Sequence, residues 1–359
     1  MFKVKDPQTQ KDIVVLELCD KEYRSPTKSN MVRKDNYPLL GFYQFKLRTA
    51  KEEIEPVPTL VKKLDKILDN GLRPGLYILG ANPGLGKTSL MLHIALNLAT
   101  KQHHILYFNL EMSTFQITTK LLANLSYRKS LEDNSKSMTI SQLSNSSLFN
   151  SKTGKMNTSL QDLCNSNRDV IANYFHCINY TDENDCRFIE SIETALLNCR
   201  ECHHMQPVVV VDFIQLLKIK PEYGSNSEIT NQSLLLDKRL ETNEVIERLK
   251  KLANKYHVPI FGISSLSRGA YTKNNAELTD YAMSAFKESG HIEYTADFLA
   301  LLTRGDDNVN FGSADTKTIY INVLKNRYGT PDAKIQLEFI PEYSYFKEND
   351  YEEEEYEED

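Results

Sequence analysis

The string Gly80-Ala81-Asn82-Pro83-Gly84-Leu85-Gly86-Lys87-Thr88-Ser89 constrains the fold more than any other stretch of this chain. It follows a short apolar run, Leu76–Gly80, and opens a segment whose Leu90, Ile94, Ala95 and Leu98 have helical spacing. A strand that turns through glycines into a helix gathers backbone N–H groups and a helix N-terminus around one point. Such a point favours an anion, and small residues let the backbone close around it. Lys87 adds a compact cation for the β- and γ-phosphates of a triphosphate, and Thr88 adds a hydroxyl ligand for Mg²⁺. The general pattern has glycine where this chain has Ala81, a tolerable departure beside Gly80. A purely structural turn would account for the glycines but not for the Lys-Thr pair. Residues Gly80 to Ser89 are therefore read as a nucleotide-binding loop.

The rest of the chain alternates short apolar runs with amphipathic stretches. The strand candidates are Leu76–Gly80, Ile105–Leu110, Phe175–Tyr180, Val208–Asp212, Pro259–Ser264, Phe298–Thr303, Thr318–Leu324 and Lys334–Phe339. Helices are expected at about 86–100, 114–128, 184–203 and 243–257. This alternation predicts an α/β domain with a mostly parallel sheet covered on both faces. The last two runs flank a Gly-Thr-Pro turn and predict an antiparallel hairpin at one sheet edge. Residues 129–172 read as polar helices joined by loops. The connections 218–242 and 269–287 are long for a compact domain and are candidates for function. Residues 1–55, with one strand candidate at Asp12–Leu18, are too few for a large core and form an extension or linker. The main domain spans 56–346.

The formal charge of −6 comes from the end of the chain. Residues 347–359 carry nine acidic side chains and one lysine; without them the balance is 42 basic to 40 acidic. The body is close to neutral, so a polyanionic partner is not excluded. The tail, a block of like charges, is expected to be disordered. No run of 18 apolar residues predicts a membrane span, and the first residues lack the apolar core of a signal peptide. A cytoplasmic location with reduced cysteines is the expectation. Cys199, Cys202 and His203 match a haem-attachment spacing, but they end a polar helix-like stretch and are read as structural.

Two carboxylates stand at candidate strand ends. Asp212 closes the buried run Val208–Val211, and ligands sit off the carboxyl ends of such strands. After a nucleotide loop in the same chain, it is a candidate for the Mg²⁺ shell. Glu111 follows the run Leu106–Leu110, and Ser113 with Gln116 predicts a capping box for the next helix. Glu111 thus lies just outside that helix, where it could take a proton from an attacking water. Taken locally, a solvated loop glutamate is the favoured explanation.

Six blocks occur in order: GANPGLGKTS, LYFNLEMS, VVVVDFIQLL, LKKLANKYHVPIFGISSLSRG, KESGHIEYTADFLALLTR and VLKNRYGTPDAKIQLEFIPEYSYF. Together they resemble the successive motifs of the DnaB-type replicative DNA helicase motor, over roughly residues 57–346. The resemblance implies a RecA-like P-loop NTPase that hydrolyses ATP with Mg²⁺. It implies Glu111 as catalytic base, Lys87 and Thr88 on phosphate and metal, and Asp212 as the Walker B acid. It also implies Lys325 and Arg327 as a basic finger that reaches the γ-phosphate of a neighbouring subunit. The partners implied are single-stranded DNA, further copies of the chain in a hexameric ring, and a helicase loader or primase. Lys218, Lys220 and Lys273 are candidate DNA contacts in the long connections. Ser265 stands where the family has a glutamine associated with phosphate sensing, and Ala285 and Lys287 replace an Asp and an Arg. Two rivals stand beside this reading: a RecA/RadA-like recombination or repair ATPase, since Lys325-Asn-Arg-Tyr-Gly also resembles a motif of RadA-type proteins, and a nucleotide-dependent assembly scaffold that does not unwind DNA, which Ser265 and the weakly basic loops favour.

Overall fold

The computed structural model describes residues 2–5, 12–15, 55–145, 149–150, 155–179, 186–203, 205–220, 231–266, 292–305 and 316–348. Contacts divide the chain into two units, Met1–Glu55 and Pro56–Asp359. In the first, Phe2–Lys5 pairs antiparallel with Asp12–Val15.

Among the described residues, the second unit is built on a sheet of nine strands. In chain order they are β1 (Gly75–Ala81), β2 (Ile105–Asn109), β3 (Phe175–Asn179), β4 (Val208–Asp212), β5 (Pro259–Ser265), β6 (Phe298–Arg304), β7 (Lys317–Asn326), β8 (Lys334–Ile340) and β9 (Tyr345–Glu348). Their order across the sheet is β9-β8-β7-β6-β1-β5-β4-β2-β3. The six strands from β6 to β3 run parallel. The three from β7 to β9 add antiparallel pairs at one edge. The principal helices are α1 (Lys62–Ile67), α2 (Lys87–Thr100), α3 (Thr114–Asp133), α4 (Thr158–Ser166), α5 (Arg168–Tyr174), α6 (Ile189–His203) and α7 (Asn231–Tyr256).

Side chains alternate across a strand, and here the alternation divides the core in two. Tyr77, Leu79, Tyr107, Val210 and Phe261 face one layer with Leu90, Ile94 and Leu98 of α2 and Ile117 and Leu121 of α3. Leu76, Ile78, Phe108, Val209, Val211 and Ile260 face the other, with Ile189 and Ile192 of α6 and Val245, Leu249 and Leu252 of α7. Burial on both faces is why the parallel strands read as continuous apolar runs. Each large side chain so buried stabilises by roughly 1.5–3 kcal/mol. The helices differ in kind. In α7 the buried Val245, Ile246, Leu249, Leu252, Ala253 and Tyr256 form one stripe, whereas α2 is buried almost all round.

The structure departs from the sequence expectations in three places. Helix α7 begins at Asn231, well before the expected 243, so part of the stretch 218–242 expected to be a polar connection is helical. The edge hairpin is extended by β9, a four-residue strand too short to register as a run. That strand includes Lys347 and Glu348, the first two residues of the segment expected to be disordered. Glu348 accepts hydrogen bonds from the Lys62 and Lys63 backbone N–H groups at 2.8 and 2.7 Å, satisfying the open amides at the start of α1. Residues 349–359 lie outside the described residues.

Candidate nucleotide site

The fold brings the motif residues to one end of the sheet. Ala81 pairs with Ser265 across β1 and β5, and Asn109 pairs with Asp212 across β2 and β4. The carboxyl ends of four parallel strands therefore deliver the nucleotide loop, Ser265, Asp212 and the Glu111 turn to the same edge, where ligands bind in open α/β sheets. A cleft of about 510 Å³ lies there, lined by loop residues Pro83, Gly84 and Gly86–Ser89 together with Glu111, Lys120, Phe213, Ser265, Lys317 and Phe339.

Between β1 and α2 the loop turns through Gly84 (φ 81°) and Gly86 (φ 88°), left-handed backbone that glycine adopts without strain. Gly86 is also packed tightly, since a Cβ there would meet the Phe339 and Phe346 rings at 3.0–3.3 Å. Lys87, the first residue of α2, donates through Nζ to the carbonyls of Ala81 (2.8 Å) and Asn82 (3.2 Å). Burial lowers its pKa, and the nearby carboxylates of Glu111 and Asp212 pull it back up.

Asp212 is 1% exposed. Burial raises its pKa; the Thr88 and Tyr107 hydroxyls oppose that, Glu111 adds to it, and Lys87 lowers it. The Tyr107 hydroxyl donates to Asp212 Oδ2 at 2.9 Å. Asp212 Oδ1 is buried and has no hydrogen-bond partner among the described residues. Leaving such an atom unpaired costs stability unless something else takes it. A threonine hydroxyl and a carboxylate oxygen are hard donors of the kind Mg²⁺ takes, so these residues fit the metal that the resemblance implies.

Glu111 is exposed in the turn before α3. The turn is fixed by the expected capping box: Gln116 N–H donates to Ser113 Oγ, and Ser113 N–H donates to Gln116 Oε1 at 2.9 Å. Ser265 has its backbone held by Gln215, which donates to its carbonyl at 3.0 Å and also to Ser264 Oγ at 2.8 Å.

Sequence reasoning missed several residues here. Lys120 of α3 donates to Ser89 Oγ at 3.1 Å and lines the cleft as a second cation, its pKa lowered by burial. Tyr107 looks like any aromatic strand residue, and Lys317 like any strand-end lysine. No local signal marks them, because their partners are distant in sequence.

Lys325 and Arg327 are not at this end. Phe298, the first residue of β6, pairs with Asn326 of β7 and with Tyr77 of β1, which places them at the opposite end of the sheet. Lys325 Nζ donates to the Tyr294 carbonyl at 3.2 Å, and Arg327 donates to the Tyr294 carbonyl at 3.0 Å and to Asp297 Oδ1 at 3.1 Å. Lys218 and Lys220 are exposed beyond β4, with the Lys220 ammonium 5.7 Å from the centre of the Phe188 ring. Lys273, Ala285 and Lys287 lie outside the described residues. Cys199 and Cys202 are free thiols on the last turns of α6, and no described helix is long and apolar enough to cross a membrane.

Comparison with known proteins agrees with this geometry. The family model for the DnaB-like helicase C-terminal domain matches residues 56–348. The replicative DNA helicase DnaB of Geobacillus stearothermophilus is 30% identical over 84% of this chain and 58% of its own length. The replicative DNA helicase DnaC of Bacillus subtilis is 28% identical over the same shares. The chain thus spans little more than half the length of these relatives. A solved DnaB-like replicative helicase, described with its interactions with primase, superposes with a TM-score of 0.61 at 19% identity, covering 87% of this chain and 67% of that one. The expected RecA-like α/β fold is borne out, and the chain belongs to the DnaB-like helicase C-terminal domain family.

Proposed function

We propose that this chain is the motor of a ring-shaped helicase, which hydrolyses ATP to travel along single-stranded DNA and unwind duplex during replication. The observation that carries the reading is the placement of the two ends of β7. Lys317 lines the cleft, while Lys325 and Arg327 stand at the far end of this ten-residue strand. At ~3.3 Å per residue that separation is about 30 Å. No side chain spans it, so the finger serves a phosphate bound by another copy. A contact of this head-to-tail kind closes into a ring when the rotation allows, and a hexamer is the stoichiometry proposed from the family.

Within each cleft, the backbone of Gly80–Gly86 and Lys87 would hold the β- and γ-phosphates of ATP. Thr88 and Asp212 would hold Mg²⁺, which when bound neutralises charge on the phosphate oxygens. Glu111 takes the proton of the attacking water, Ser265 lies on the wall where phosphate state is read, and Arg327 of a neighbour stabilises the transferring phosphoryl group. Lys218 and Lys220, with Lys273, are the proposed contacts to DNA phosphates. A cytoplasmic site of action, and a helicase loader or primase as further partner, complete the proposal.

One observation favours a second reading, a nucleotide-dependent scaffold. The short Ser265 replaces the family's glutamine, and its backbone is pinned by Gln215. ATPase rate with and without single-stranded DNA, run beside strand displacement on a labelled fork, separates the two. The helicase reading expects DNA-stimulated hydrolysis and ATP-dependent displacement. Assembly with ATP but no response to DNA would support the scaffold, and stimulation without displacement would point to the recombination-type rival.

A further inference from the structure

Asp297 lies just before β6, and its carboxylate is almost completely buried at the finger end of the sheet. Its Oδ2 accepts from the Leu76 backbone N–H at 2.8 Å and from Lys250 of α7 at 2.5 Å. Its Oδ1 accepts from Arg327 at 3.1 Å, and its backbone carbonyl accepts from the Arg327 N–H at 2.9 Å. Three elements, β1, α7 and the turn after β7, therefore converge on one side chain. A buried carboxylate that fixes nothing would be replaced at little cost by an apolar residue, which makes its position here informative.

The arrangement leaves Arg327 free to act. Of the five N–H donors of a guanidinium, one is used by Asp297 and one by the Tyr294 carbonyl. The side chain remains 49% exposed. The guanidinium is thus anchored from its own chain while half of the side chain stays open to solvent, an arrangement suited to phosphate oxygens arriving from another molecule. Lys250 of α7 supplies the second cation on Asp297 and holds its carboxylate from the helix side.

We propose that Asp297, backed by Lys250, is the positioning residue of the finger, setting the orientation in which Arg327 meets the neighbouring subunit's γ-phosphate. This rests on the reading that Arg327 acts between subunits. The loss of Asp297 should cost less than the loss of Arg327, because the Tyr294 carbonyl still holds the guanidinium. Misplacement of a reacting group by about 1 Å is worth on the order of 100-fold in rate.

The test is a double-mutant cycle on kcat for ATP hydrolysis in the full-length chain: Asp297→Asn, Arg327→Ala and both together. Expected is a roughly 10- to 100-fold fall in kcat for Asp297→Asn, with unchanged affinity for a fluorescent ATP analogue. No further fall is expected when Asp297→Asn is added to Arg327→Ala. Multiplicative losses, or weakened nucleotide binding, would make Asp297 a structural residue and overturn the proposal. If Asp297→Asn fails to fold by circular dichroism, Asp297→Glu keeps the charge and shifts the carboxylate by one methylene. Its kcat should fall with KM unchanged, and wild-type kcat in that variant would equally sink the idea. The underlying reading fails separately: an active Arg327→Ala overturns the finger itself, whereas an inactive Arg327→Ala beside a fully active Asp297→Asn overturns only the positioning.

Discussion

The two ends of the sheet are built from the same strands by opposite strategies. At the cleft end, short contiguous motifs leave the carboxyl ends of β1, β2 and β4, and each brings its own turn geometry. The loop supplies amides, Lys87 a cation, and the Glu111 turn a capping box that needs nothing beyond its own residues. At the finger end, Asp297, Lys250 and Arg327 come from distant positions and matter only once the sheet is assembled. On the proposed reading, the difference teaches that the cleft end would recruit a nucleotide by itself, while the finger end would have chemistry only toward a second copy. A change at the finger end should therefore spare nucleotide binding and reach only hydrolysis, whereas the cleft end carries residues for both.

The largest separation is expected for Arg327→Ala. Nucleotide affinity should stay near wild type while hydrolysis falls by about 10³–10⁵, the scale of a lost arginine finger and far beyond a surface ion pair. A binding titration beside steady-state ATPase reads both, and an active variant would break the comparison outright. Glu111→Gln should come next, with turnover slowed by about 10²–10⁴ and ATP retained. A loss below about threefold would return Glu111 to a solvated loop residue. The smallest effect belongs to Tyr107→Phe. It removes a fully buried donor from Asp212 Oδ2 and should lower stability by about 1–3 kcal/mol. Urea unfolding measures that, and an unchanged midpoint would mean that Asp212 finds another donor.

Much of the cleft end was legible because its physics is local. The apolar runs of β1, β2 and β4 announce strands buried on both faces, and the glycines, Lys87, Thr88 and the Ser113–Gln116 pair announce their turns. Lys120 was not legible: a helical lysine becomes a cleft cation only when α3 packs beside α2 and brings it to Ser89. At the finger end, Lys325 and Arg327 were read through family resemblance alone, since two basic residues near a turn are ordinarily solvated. Asp297 escaped altogether, because its partners lie 47 and 30 positions away. The four-residue β9 was missed for a related reason, since its pairing with β8 rather than its own pattern makes it a strand.

The central claim is that hydrolysis is completed between copies, and mixing two inactive variants tests it most directly. Lys87→Ala spoils a cleft and leaves a good finger, while Arg327→Ala spoils a finger and leaves a good cleft. Alone, each makes rings in which every interface carries the same defect, so each should be nearly inactive. Mixed under conditions in which labelled subunits demonstrably exchange, some interfaces join an intact cleft to an intact finger. The account predicts recovery of ATPase to a level well below half that of the wild type, because only a fraction of interfaces become complete. Exchange without any recovery would contradict it, and would place Arg327 in service of its own chain's nucleotide or tie every site in the ring to all the others.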